Sequence, residues 1–161
     1  GSGYEGQYDD GWRHGQGKNT FASGDVYEGQ WEDGFQDGQG EMKYANKDVY
    51  DGEWNKGVEH GQGKNTFASG AVYVGKFEDG VRNGEGRFKF ADGHVYNGQW
   101  NKGERHGRGE INYANGAAYD GEWKTGVEHG QGKETSADGD VYVGQFEDGV
   151  RDDVSEITPA A

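Results

Sequence analysis

Four of the five histidines could ligate a metal or pass a proton, and they share one phase of a period. His14, His60, His106 and His129 lie at multiples of 23 residues from one another, while His94 falls elsewhere. Carboxylates gather in the same rhythm, as Asp9-Asp10-Gly11, Glu32-Asp33-Gly34, Glu78-Asp79-Gly80 and Glu147-Asp148-Gly149. In an antiparallel array, equivalent positions of successive repeats stand two strands apart, about 9.5 Å, too far for two histidines to share one ion. The acidic tips lack the alternating oxygen ligands of a calcium loop. Asn55-Lys56-Gly57 and Asn101-Lys102-Gly103 stand between them, so the tips read as an edge of alternating charge. Gly15/Gly17 and Gly61/Gly63 are not followed by the Lys-Ser/Thr of a phosphate loop. No serine nucleophile sits in an elbow motif, and there is no cysteine. The expectation is a protein that is not an enzyme, with no cofactor, no metal site and no catalytic residue.

A third set of side chains is aromatic and strictly periodic. Tyr4, Tyr27, Tyr50, Tyr73, Tyr96, Tyr119 and Tyr142 recur every 23 residues, each followed two positions later by glycine. Two positions further stand Tyr8, Trp31, Trp54, Phe77, Trp100, Trp123 and Phe146. Their chemistry is apolar contact. Ten of them (Tyr27, Trp31, Tyr50, Trp54, Tyr73, Phe77, Tyr96, Trp100, Tyr119 and Trp123) are the expected lining of a partner-binding groove. A single-layer sheet is expected to leave such rings partly exposed, where they serve as anchors for an apolar ligand.

The elements that must position these rings follow from the alternation inside each repeat. Tyr27, Gly29 and Trp31 share one face of an extended segment; Gly38, Gly40, Met42 and Tyr44 share one face of the next. Each repeat is therefore a β-hairpin whose glycines leave room for a neighbouring ring. The residue before the first-loop glycine is His14, Asp37, His60, Asn83, His106 or His129, types that tolerate left-handed backbone, and a turn is expected there. The second connection carries Ser23-Gly24, Ser69-Gly70, Asp92-Gly93, Asn115-Gly116 and Asp138-Gly139. Asn46-Lys47 departs from that pattern, and a strained or different turn is expected. A larger period overlies the small one: Tyr50–Arg82 and Tyr119–Arg151 match at 26 of 33 positions. The repeated surface, not one residue, is then the unit of function.

The stretch Tyr27-Glu-Gly-Gln-Trp-Glu-Asp-Gly-Phe-Gln-Asp-Gly-Gln-Gly resembles the MORN (membrane occupation and recognition nexus) repeat, and the resemblance runs from residue 4 to about residue 149. It implies an all-β fold: a single elongated, twisted antiparallel sheet of consecutive β-hairpins, curling so that one aromatic face forms a groove. The expected organisation is a cloning remnant over 1–3, a repeat array over 4–149 with six full repeats and a partial seventh, and a C-terminal cap or tail over 150–161. Asp153 stands where glycine is expected, and Val154-Ser155-Glu156-Ile157 replaces the second strand of the seventh repeat.

Composition narrows the partners. The 161 residues include 33 glycines, one proline and no leucine, and the net charge is −14. No basic stripe exists to release counterions from nucleic acid, and the acidity disfavours anionic lipid. The absence of cysteine fits a cytoplasmic setting. A groove that is apolar at the floor and acidic at the rim should prefer a protein or peptide segment carrying Lys or Arg beside apolar anchors. The expected function is thus a non-catalytic protein-interaction scaffold binding a basic, apolar peptide or helix. Two alternatives stay open: a phosphoinositide or membrane-surface module, suggested by the family's name, and a structural rod, natural or engineered, forming homodimers through the array ends.

Overall fold

The computed structural model describes residues 2–152 and 157–160, and these contain strands and turns without a helix. The chain divides into two compact units, residues 1–81 and 82–161. In the first, β1 (Gly3–Asp9), β2 (Trp12–Thr20), β3 (Val26–Glu32), β4 (Phe35–Lys43), β5 (Val49–Asn55), β6 (Val58–Thr66) and β7 (Val72–Glu78) pair antiparallel in sequence order. The second repeats the arrangement with β8 (Val81–Lys89), β9 (Val95–Asn101), β10 (Glu104–Asn112), β11 (Ala118–Lys124), β12 (Val127–Thr135) and β13 (Val141–Glu147). The fold is the expected all-β antiparallel run of consecutive hairpins.

Register explains the glycines. Gly6, Gly17, Gly29, Gly40, Gly52, Gly63 and Gly75 lie opposite one another in a single row across the first unit. The row is a trough into which the tyrosines fold. A Cβ at Gly40 would stand 2.0 Å from the Tyr27 hydroxyl and 2.3 Å from the ring carbon that bears it. Only glycine lets the ring lie there.

The turns differ from the sequence expectation. The two-residue hairpin loops are Asp10-Gly11, Asp33-Gly34, Lys56-Gly57, Asp79-Gly80, Lys102-Gly103, Thr125-Gly126 and Asp148-Gly149, with positive φ at both residues. His14, Asp37, His60, Asn83, His106 and His129 lie inside the following strands instead, and none has positive φ. Glycine follows both positions, which is why the pattern misled. At the second position the glycine serves a bulge: between the Gly29–Gly40 and Trp31–Gln36 pairs, Asp37-Gly38-Gln39 oppose Gln30 alone. The Gln30 carboxamide fills the bulge and accepts the Gln39 amide at 2.6 Å, as Gln7, Gln99 and Glu122 do for residues 16, 108 and 131.

Asn46-Lys47 is strained, yet of the same type as its counterparts. Lys47 takes φ +81° where Gly24 has +96°, and its amide donates to Tyr44 as that of Gly24 donates to Phe21. The break expected at Asp153–Glu156 lies outside the described residues. Beside it, β14 (Val150–Arg151) pairs with Glu147 and Phe146, and β15 (Ile157–Thr158) with Tyr142 and Val141. Two short strands meet the far edge of β13 in place of one full strand.

Candidate functional site

The ten rings named from the sequence assemble as ladders, one in each unit. From Tyr4–Trp31 to Tyr73–Phe77, successive centroids are 5.0–5.3 Å apart with interplanar angles of 84–90°. In the second unit, Tyr96 to Phe146 continue through Trp100, Trp123 and Tyr119 at 5.0–5.3 Å. Tyr4, Tyr27, Tyr50, Tyr96 and Tyr119 thus each meet their own repeat's ring edge-on and the next repeat's ring as well, the arrangement the aromatic quadrupole favours.

Every hydroxyl has a fixed partner. Tyr27, Tyr50, Tyr73, Tyr96 and Tyr119 donate to the carbonyl three residues on, at 2.7–2.8 Å. Trp31, Trp54 and Trp123 donate their indole N–H to the carbonyls of Gly17, Gly40 and Gly109 at 2.9–3.0 Å. Burial pushes the Tyr119 phenol up to about 12 and raises those of Tyr27, Tyr50 and Tyr96 further.

The expectation that these rings would be partly exposed is not met: none of the ten exceeds 7% exposure. Two further rows of side chains border the ladders, and the sequence reading assigned neither to the site. One is Arg13, Gln36 and Glu59 in the first unit and Arg82, Arg105, Glu128 and Arg151 in the second. Arg13 sits 4.8 Å above the Tyr4 ring, and Arg105 sits 4.6 Å above Trp123 while donating to the Gly126 carbonyl. The other row is half-buried and aromatic: Phe21, Tyr44 and Phe67, then Phe90 and Tyr113. The rows match each other. Tyr44 and Tyr113 donate hydroxyls to Glu59 and Glu128, while Phe90 faces Arg105. Burial, with the hydrogen-bonded Glu59 carboxylate, raises the Tyr44 phenol. The signal was present as a recurring aromatic beside five of the six second turns, with Ser136 at the sixth, and the partner 15 residues on was hidden by its variable type.

On the opposite face, an apolar side chain follows every hairpin loop except Lys102-Gly103, which is followed by Glu104. In the first unit Trp12, Phe35 and Val58 are 60%, 54% and 40% exposed. Asp9 and Glu32 stand directly across from Trp12 and Phe35. In the second unit the equivalent positions are Glu104, Val127 and Val150. The loops themselves are tied repeat to repeat: Gly34 N–H donates to the Arg13 carbonyl, Gly57 to Gln36 and Gly80 to Glu59. Asp37 and Asn83 add side-chain acceptors for the amides of Lys56 and Lys102. This cap is the structural use of positions that the sequence suggested were turn residues.

The bulges leave shallow depressions, of about 540 Å³ beside His14, Gly15, Asp37 and Gly38 and about 430 Å³ beside His106, Gly107, His129 and Gly130. They are the same site four repeats apart. Among the described residues no group of three or more His, Asp or Glu side chains could hold a metal ion.

Among the solved structures similar in fold to this chain are two domains at low sequence identity. The TCP domain of Drosophila melanogaster SAS-4 (dCPAP), solved in complex with a proline-rich motif of Ana2 (dSTIL), matches with TM-score 0.53 and 16% identity over 88% of this chain and 77% of that one. The wild-type TCP10 domain of Danio rerio CPAP, in complex with a STIL peptide, matches with TM-score 0.52 and 11% identity over 89% of this chain and 63% of that one. These likenesses are of fold. No curated protein sequence matches the chain significantly. Family matching agrees with the hairpin period: the MORN repeat is found over residues 4–26, 27–49, 50–72, 73–95, 96–118, 119–141 and 142–152, and the chain belongs to the MORN repeat family.

Proposed function

We propose that this chain is a non-catalytic scaffold that holds an extended or helical protein segment against the ladder face. Each unit has its own contact surface beside a rigid floor of buried rings: Phe21, Tyr44 and Phe67 in the first, and Phe90 and Tyr113 in the second. One observation carries the reading: these five rings keep exposed surface although the floor beneath them is packed and hydrogen-bonded throughout. A preorganised apolar surface with polar groups alongside loses little entropy on binding. The two fold relatives hold a proline-rich motif and a STIL peptide, which supports the use of such a sheet for a peptide. In the first unit Glu59 lies beside Tyr44, so a segment with an apolar anchor and a neighbouring Lys or Arg fits there.

The test compares the parent chain with a Phe21→Ser/Phe67→Ser variant, after matching their far-UV spectra and melting curves. Cross-linking mass spectrometry on captured complexes identifies the bound segment. The expected result is a segment cross-linked to the parent's ladder face and lost by the variant. Equal capture by both overturns the ladder face as the site.

A further inference from the structure

The exposed stripe on the other face has the spacing, rigidity and charge of a second binding surface. Trp12, Phe35 and Val58 repeat at one residue per hairpin, and two strands advance about 9.5 Å. A polyproline II helix advances about 9.3 Å in three residues and presents the same side every third residue. The two pitches agree, so a peptide in that conformation running across the strands would set one side chain on each stripe residue without bending.

The stripe is held in place before any ligand arrives. One side of the Trp12 indole rests against the next loop, where a Cβ on Gly34 would stand 2.8 Å from its ring. Phe35 lies over Gly57 in the same way, with 3.5 Å to the corresponding point. Each loop is clipped to the previous repeat by the amides of Gly34 and Gly57. The outer sides of both rings are left to solvent, more than half of each residue.

Charge selects the occupant. Asp9 and Glu32 face Trp12 and Phe35 across the hairpin, and Asp10 and Asp33 occupy the loop tips between. Lys56 is the one cation among the three loop tips of this stretch. We propose that the Trp12–Phe35–Val58 stripe of the first unit binds a basic polyproline II peptide, with proline or another apolar residue at every third position and Lys or Arg between. The apolar column packs on the rings, and the cations reach the four carboxylates and the exposed indole face. The site is separate from the ladder face and does not depend on it.

The experiment titrates a peptide of four Pro-Pro-Arg triplets into the full chain, following intrinsic tryptophan fluorescence and amide chemical shifts. Trp12 is the exposed tryptophan, so its emission reports occupancy. The expected result is saturable binding with shifts at residues 9–12 and 32–35, weakened at least about tenfold in Trp12→Ala/Phe35→Ala. Both side chains are exposed, so the variant should melt as the parent does. A peptide of the same composition with its arginines grouped together breaks the three-residue phase and should bind at least about tenfold more weakly. Equal binding of the grouped peptide would reduce the effect to charge alone and overturn the proposal. So would binding unchanged by Trp12→Ala/Phe35→Ala, or no binding. Loss of binding in Phe21→Ser/Phe67→Ser but not in Trp12→Ala/Phe35→Ala overturns this site and leaves the ladder-face reading standing. A concentration-dependent mass abolished by Trp12→Ala/Phe35→Ala would assign the stripe to a second copy of the chain and overturn it as well.

Discussion

The two units carry the same ladder under different surfaces. Tyr27 and Tyr96 occupy equivalent troughs, donate to equivalent carbonyls and meet equivalent rings edge-on. Above and behind them the units diverge. Four of the chain's six arginines fall between Arg82 and Arg108, and the second unit offers Glu104, Val127 and Val150 where the first offers Trp12, Phe35 and Val58. The repeat therefore separates two demands. Positions that touch the glycine row are fixed by packing, and positions one layer away are free to differ. The differences between the two units lie in the second group.

The largest effect should show that the floor is common to both units. Gly40→Val and Gly109→Val each place atoms where a tyrosine ring lies. Each should cost about 3 kcal/mol or more, read from urea midpoints. Tolerance of either would mean that the two troughs are not equivalent.

Alkaline titration tests the floor as a whole. An unfolded tyrosine has its ordinary value near 10, while burial raises the folded Tyr119 to about 12. The folded state then holds the proton longer, so the stability linked to this group is complete below pH 10 and lost as pH rises towards 12. Tyr27, Tyr50 and Tyr96 shift in the same direction. The urea midpoint should fall steeply between pH 10 and pH 12 and stay flat with respect to phenol ionisation below pH 9.

Single hydrogen bonds give smaller contrasts. Trp54 donates to Gly40, whereas Phe77 in the next repeat has no N–H to give. Trp54→Phe should lose about 1–2 kcal/mol, measured by chemical denaturation. A loss below about 0.5 kcal/mol would show that the phenylalanine slots are equally satisfied.

The next contrast concerns one buried polar atom. The Asn65 Oδ1 is buried without a hydrogen-bond partner among the described residues, while the second unit holds Ile111 at an equivalent phase. Asn65→Ile should stabilise by about 1 kcal/mol, seen as a higher melting temperature. A drop would mean that the amide makes a contact isoleucine cannot replace.

The smallest effect concerns the turn at Lys47. Lys47→Gly relieves a left-handed lysine and should gain up to about 1 kcal/mol, and Gly116→Lys should lose a similar amount. Equal melting temperatures for both variants and the parent would place the strain elsewhere.

Most of the fold was legible because the residues that set it recur at the same spacing in every repeat. Tyr27-x-Gly29-x-Trp31 states a strand, a face and a trough at once. The bulge was not legible, since Gln30 looks like any exposed glutamine until its carboxamide is seen bonded to the Gln39 amide. The loops were half legible: Asp33-Gly34 and Asp37-Gly38 are both an acidic residue before glycine, and only the register shows that the first turns the chain. Within each unit the named rings share one face, but their exposure was misjudged. Side chains such as Arg105, whose reach over Trp123 is a three-dimensional fact, close over the ladder. The stripe of Trp12 and Phe35 escaped notice because its members share position and not residue type.

The clip from each loop to the repeat behind it has a consequence for how such chains change over generations. The Gly57 amide needs only the carbonyl supplied one repeat earlier, and Glu59 offers its own carbonyl to Gly80 one repeat later. A recombination event that inserts or removes a 23-residue unit therefore leaves no donor stranded at either junction. Copying of that kind would produce a likeness such as that of Tyr50–Arg82 to Tyr119–Arg151, which match at 26 of 33 positions. Beyond the few stacked repeats that folding requires, the number of units can therefore change without breaking this clip.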